Sequence, residues 1–196
     1  SLASGAKNTL AVGAAAATVG VVVGVVTLTG VGFRLGYVVV QTATDIGTFF
    51  SSLPILGYFT VTQWALFVSL ILIAISCIIM GAGIPTTATY IILVAVAAPA
   101  LAVLQVEPLV AHFFVFYYGV LADITPPVAL AAYAAAGIAG SNPFKTGNTA
   151  FRLGIAKALV PFVFVYSPAL LLVAGGFTWW LFTITLAGAM LGIASL

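Results

Sequence analysis

The sequence predicts an all-α integral membrane protein, a polytopic bundle built around a helical hairpin and a discontinuous helix. Three observations lead there. Of its 196 residues, 64% are hydrophobic and only 4% are charged, against about half and a quarter in a soluble domain. So few charges cannot cover a surface that faces water, whereas lipid accepts such a chain. Secondly, the apolar residues fall in long runs such as 64–80 and 158–174. In lipid every backbone N–H and C=O must pair within the protein, which leaves helices or a closed barrel. A barrel would read as alternating segments of about ten residues, so helices are expected. Thirdly, two clusters of helix breakers interrupt the apolar runs, one at 81–87 and one at 123–127.

Each element follows from local composition. A helix needs about 20 apolar residues to cross the hydrocarbon core. Residues 10–31 supply a first span whose Gly13, Gly20 and Gly24 allow close helix packing. Residues 33–59 carry Arg34, Gln41, Asp45, Ser51 and Ser52, then Pro54 and Gly57. This reads as an interfacial amphipathic helix, an arm followed by a loop, with a short extra span as the alternative. Residues 64–104 form two apolar arms joined by Gly81-Ala82-Gly83-Ile84-Pro85-Thr86-Thr87, hence a hairpin, either fully spanning or re-entrant. Residues 111–139 form a span broken at Asp123-Ile124-Thr125-Pro126-Pro127, because both prolines lack an N–H and clash with the preceding turn. A polar stretch at 141–157 holds Lys145, Arg152 and Lys157, and spans at 158–174 and 179–196 follow, joined by Gly175-Gly176-Phe177-Thr178. With 141–157 on the cytoplasmic side, four of the five basic residues lie there.

Several functions are excluded. A net charge of +2 gives no footprint for nucleic acid. The single cysteine, Cys77, has no internal disulfide partner. One histidine, one cysteine and three carboxylates are too few for an ordinary zinc site or a catalytic pair. A glycine-rich phosphate loop with a lysine is missing. No enzyme is expected. The chain opens Ser1-Leu2-Ala3 without an initiator methionine, and we expect it to be the C-terminal part of a longer protein.

The chemistry is expected at the two breaks. Each frees backbone amides and carbonyls, which membrane depth tolerates only inside protein or along a water-filled cavity. Broken helices of this kind hold ions and substrates in secondary transporters. At the tip, Gly81 and Gly83 permit close approach, and Pro85 can open the second arm. Thr86, Thr87 and Thr89 offer hydroxyls to a hard cation or a carboxylate, although a plain tight turn has the same composition. Asp123 is a carboxylate within an apolar segment, which costs about 3 kcal/mol or more without a partner, a proton or a cation. It could instead cap the break by bonding amides near Thr125 and Val128. His112, Tyr117, Tyr118 and Tyr133 read as packing or interfacial residues, and Lys145, Arg152 and Lys157 as topology determinants that touch anionic lipid.

Two strings carry a resemblance. Met80-Gly81-Ala82-Gly83-Ile84-Pro85-Thr86-Thr87-Ala88-Thr89-Tyr90 is followed by His112-Phe113-Phe114-Val115-Phe116-Tyr117-Tyr118-Gly119-Val120-Leu121-Ala122-Asp123-Ile124-Thr125-Pro126-Pro127-Val128. Together they resemble the large membrane subunit (DctM-like permease) of the tripartite ATP-independent periplasmic (TRAP) transporters, in particular the fused branch that works with TAXI-type binding proteins. Val160-Pro161-Phe162-Val163-Phe164-Val165-Tyr166-Ser167-Pro168 resembles the same branch, and the likeness runs over about 2–172. It implies one repeat, mainly the second, of an inverted-repeat, ion-coupled transporter that moves as an elevator. Residues 81–87 would be the tip of the second helical hairpin, and 123–127 the break of the following helix. The implied ion and substrate residues are Gly81, Gly83, Pro85, Thr86, Thr87, Asp123, Thr125 and Pro126, with Na⁺ at Gly81, Thr86, Asp123 and Thr125. The implied function is import of organic anions, carboxylates, coupled to Na⁺ or H⁺. The implied partners are a periplasmic TAXI-type substrate-binding protein, the N-terminal remainder of the same permease and membrane lipid. The implied location is the bacterial or archaeal cytoplasmic (inner) membrane. A non-transporting membrane scaffold is the rival reading.

Overall fold

A glycine with a left-handed backbone makes the first turn of the chain. The computed structural model describes residues 2–53, 58–82, 84, 86–172 and 179–194. Helix α1 (Leu2–Thr29) ends at Gly30, whose φ of 66° suits a residue without Cβ, and α2 (Val31–Ser51) leaves at 66° to Gly20–Thr29. The hairpin follows, with α3 (Val61–Gly81) and α4 (Thr86–Val103). Next come α5 (Pro108–Ala122) and α6 (Leu130–Ala139), the halves of the broken helix. Then α7 (Pro143–Gly154) runs through a 3₁₀ turn, Ile155–Ala158, into α8 (Val160–Tyr166). A second 3₁₀ turn, Pro168–Leu171, and α9 (Trp179–Ala194) complete the order. Among the described residues every regular element is helical.

Caps set the boundaries. Thr60 and Gln63 form a capping box at α3, with Gln63 N donating to Thr60 Oγ1 and Thr60 N to Gln63 Oε1 at 3.3 and 2.9 Å. The Glu107 carboxylate accepts from Val110 N at 3.1 Å ahead of Pro108, and Asn142 accepts from Lys145 N at 3.0 Å ahead of Pro143. Both prolines stand where no N–H is needed.

Among the described residues three helices are long and apolar enough to span a membrane, Val61–Gly81, Thr86–Val103 and the run Pro143–Tyr166, and the bent pair Gly20–Thr29 and Val31–Ser51 makes a fourth if it is one span. The all-α membrane bundle expected from composition is the observed architecture. The core is shared by α3, α4, α5 and α8, with Leu70, Ile73, Leu93, Leu101, Phe114, Tyr118 and Leu121 buried. Phe162 of α8 reaches it through ring contacts to Phe67, Phe114 and Tyr118.

The helix expected within 33–59 covers Val31–Ser51 and packs along both arms of the hairpin. Its inward residues are Gly32, Gly36, Ala43 and Gly47, which bring backbones close without adding apolar signal. The polar stretch 141–157 and the span at 158–174 differ from the sequence reading. Helix already runs from Pro143, and it stops at Tyr166 because Pro168 holds Ser167 extended at φ −141°. The connections expected at Pro54 and Gly57 and at Gly175-Gly176-Phe177-Thr178 lie outside the described residues.

One close contact explains a proline inside α4. Pro99 has no N–H to give the carbonyl of Ala95, so the usual bond one turn back is missing there. Gly32 of α2 covers that carbonyl so tightly that a Cβ on the glycine would lie 2.5 Å from Ala95 O.

Candidate functional site

The hairpin tip is built by α3 running out at a glycine and α4 restarting at a threonine. After Gly81, Ala82 turns extended at φ −65°, ψ 113°. Ile84 N donates to Gly81 O at 3.4 Å, and buried Thr89 turns its hydroxyl back to Ile84 O at 3.1 Å. Thr89 therefore braces the tip from within the first turn of α4. Thr86 and Thr87 are exposed. Gly83 and Pro85, both expected to contribute, lie outside the described residues.

The break is a tight coil of short-range bonds. Asp123, Ile124 and Thr125 donate their N–H groups three residues back, to Val120, Leu121 and Ala122, at 3.3, 3.2 and 3.1 Å. The Thr125 hydroxyl donates to Leu121 O at 2.7 Å, which leaves its oxygen lone pairs as acceptors. The Pro126–Pro127 bond is cis, and Ala129 takes a left-handed φ of 36° before α6 starts. Across the break, Ala131 N donates to Asp123 O at 3.1 Å. The Tyr133 hydroxyl donates to Pro127 O at 2.7 Å.

The capping alternative for Asp123 does not hold. Thr125 N is spent on Ala122 O, and among the described residues no hydrogen bond reaches the Asp123 carboxylate. Its main chain, not its side chain, ties the two half-helices. The carboxylate is half-buried and open to another partner.

Tip and break meet. Gly81 backs onto the last residue of α5: a Cβ on Gly81 would lie 2.9 Å from Ala122 Cβ, 3.1 Å from Thr89 Cγ2 and 3.4 Å from Gly119 O. Ala122 is the residue before Asp123. The ends of α3 and α5 and the first turn of α4 thus form one junction, with Gly81, Thr89, Gly119 and Ala122 at its centre. Thr86 and Thr87 are next to this junction along the chain, but no hydrogen bond joins them to Asp123 or Thr125 among the described residues.

The groups offered here are hydroxyl oxygens, one carboxylate and helix-end carbonyls. Such oxygens suit a hard cation. Among the described residues no cluster of three His, Cys, Asp or Glu could hold a transition metal. A second wall comes from the run α7–α8. A Cβ on Gly147 would lie 2.8 Å from Tyr133 Cε1, one on Gly154 would lie 2.5 Å from Ile124 Cδ1, and the Tyr118 hydroxyl donates to Ala158 O at 2.6 Å.

The model of one family, the tripartite ATP-independent periplasmic transporter DctM component, matches residues 1–179. The chain belongs to the DctM family. A search of the curated proteins and of the solved structures returned no match. Membership makes the chain a membrane permease component of a TRAP transporter, in a family of transporters rather than enzymes. DctM components work with a substrate-binding protein and a small membrane subunit. With its apolar helices, this DctM chain is a multi-pass membrane protein.

Sequence reasoning missed several polar links in this DctM chain. Tyr118 and Tyr133, read as packing residues, satisfy carbonyls. His112 is bonded to Tyr90, Nδ1 to Oη at 2.7 Å, which ties α5 to α4. Asp45 accepts from Gln41 one helical turn earlier at 3.1 Å.

Proposed function

We propose that residues 81–87 and 123–127 together form an ion and substrate site of a cation-coupled importer of organic anions. The observation that carries this reading is the packing of Gly81 on Ala122, which joins the tip to the break. A coupled carrier must let the cation and the substrate feel each other. Two interrupted helices that share one junction do this directly, because displacement of either moves the other. Asp123 and the Thr125 oxygen are the cation ligands, with carbonyls at the end of α3. Thr86, Thr87 and the tip amides face the substrate carboxylate, at the start of α4 where the helix dipole favours an anion.

The coupling cation is Na⁺, with H⁺ the alternative. The substrate is delivered by a periplasmic binding protein of the TAXI type, and the carrier works in the cytoplasmic membrane of a bacterium or archaeon. The N-terminal remainder of the permease completes the site.

The test is uptake into proteoliposomes by the full-length permease with its binding protein. Uptake should follow an imposed Na⁺ gradient and collapse in Asp123→Asn. Uptake indifferent to both Na⁺ and pH gradients rejects the reading. Uptake driven only by a pH gradient, lost in Asp123→Asn, moves the coupling to H⁺.

A further inference from the structure

The 3₁₀ turn Ile155–Ala158 is pinned to the broken helix at both ends. Ahead of it, Gly154 lies against Ile124, with room for no side chain: a Cβ would come 2.5 Å from Ile124 Cδ1. At its end, Ala158 O accepts the 2.6 Å bond from Tyr118. The two pins bracket Lys157 on one side and Asp123 on the other. Lys157 is half-buried in this bracket, unlike the exposed Lys145 and Arg152 of α7. Lys157 is the residue before Ala158 and Asp123 the residue before Ile124, so the two pins hold the lysine and the carboxylate at the same level of the break. Yet the two make no ion pair within 4.0 Å among the described residues. The lysine is held beside the break and leaves the carboxylate oxygens unoccupied.

That spacing has a use. An ionised carboxylate in apolar surroundings is costly without a compensating charge. Direct contact would occupy its oxygens and compete with any ligand, whereas no cation nearby would leave the empty site charged and costly to move. Lysine suits the task because its compact charge rides on a flexible four-carbon stem.

We propose that Lys157 is a tethered counter-ion for Asp123, which neutralises the carboxylate while the site is empty and yields its oxygens to a monovalent cation when one enters. This rests on the cation-site reading given above. The empty carrier then crosses between its states without an uncompensated charge at the break, and cation binding displaces an ammonium that remains attached.

The test is a Na⁺ titration of thermal stability on the purified full-length permease. Lys157→Gln should lower the half-saturating Na⁺ concentration about tenfold, the size expected of one competing unit charge several ångströms away in a medium of intermediate dielectric. Lys157→Arg keeps the charge and should keep the wild-type value, which a merely structural role would not guarantee. In an Asp123→Asn background the shift should vanish. An unchanged titration in Lys157→Gln overturns the proposal. A wild-type protein that responds to no Na⁺ overturns the cation-site reading, and this proposal with it; the two failures are read from different samples. Should Lys157→Gln alone not fold, the double variant Asp123→Asn/Lys157→Gln should fold, because no unpartnered carboxylate remains. A double variant as defective as the single one overturns the pairing.

Discussion

Gly81→Ala adds one methyl group where the tip meets the break, and its effect can be worked from the contacts. The new Cβ would lie 2.9 Å from Ala122 Cβ and 3.1 Å from Thr89 Cγ2, whereas ordinary contact begins at 3.4 Å. Neither neighbour can turn aside. Ala122 has no rotamer, and Thr89 cannot swing its methyl away without its hydroxyl releasing Ile84 O. The helix ends must part by about half an ångström, and overpacking of this kind costs about 1–3 kcal/mol. Felt wholly in the cation site, that is about 5–150-fold in affinity. The assay is the half-saturating Na⁺ concentration for uptake by the full-length permease, with the Tm of the purified protein beside it. Ala122→Gly removes the nearest obstacle, so the double variant Gly81→Ala/Ala122→Gly should recover a large part of the loss. A double-mutant cycle isolates that coupling from any change in helix propensity. Wild-type affinity and Tm in Gly81→Ala, or two losses that simply add, would refute the shared junction.

Other expectations follow from the same contacts. Gly32→Ala should lower Tm by an amount matching about 1–3 kcal/mol, because its Cβ would meet the backbone oxygen of Ala95 at 2.5 Å, while Gly137→Ala, with nothing within 4 Å, should not destabilise. Tyr118→Phe should destabilise by about 1–3 kcal/mol in the same thermal assay, since Ala158 O loses its donor. Cysteine at Thr86 should be labelled by a polar, membrane-impermeant thiol reagent in at least one state of the carrier, whereas native Cys77, 1% exposed, should stay silent. Complete protection at Thr86 would favour a scaffold over a carrier.

The two interruptions were legible because their chemistry is local. Gly81-Ala82-Gly83-Ile84-Pro85 and Thr125-Pro126-Pro127 cannot continue a helix, whatever surrounds them. Their contact was not legible, because it depends on Gly81 meeting Ala122, 41 positions away in the sequence numbering. The packing of helix α2 was hidden for a different reason. Arg34, Gln41 and Asp45 dominate its pattern, while its inward side is made of Gly32, Gly36, Ala43 and Gly47, which pack through backbone and carry little hydrophobic signal. The helix at Pro143–Gly154 was hidden by its polar residues, although Asn142-Pro143 is a recognisable cap. Lys157 looked like one more cytoplasmic charge. Its nearness to Asp123 comes from Gly154 and Tyr118, neither of which has a charge to advertise it.

The stripe of small residues on α2 has a mechanical consequence. Gly32 and Gly36 face Ala95 and Ala100 of α4, where small residues meet small residues, and Gly47 faces Trp64 at the start of α3, whose ring meets Phe50. Interfaces of the first kind resist separation, because the backbones are in close contact, but they oppose lengthwise slippage far less. The α4 arm is thereby held close by a smooth seam, while the Phe50–Trp64 contact keys the α3 arm in place.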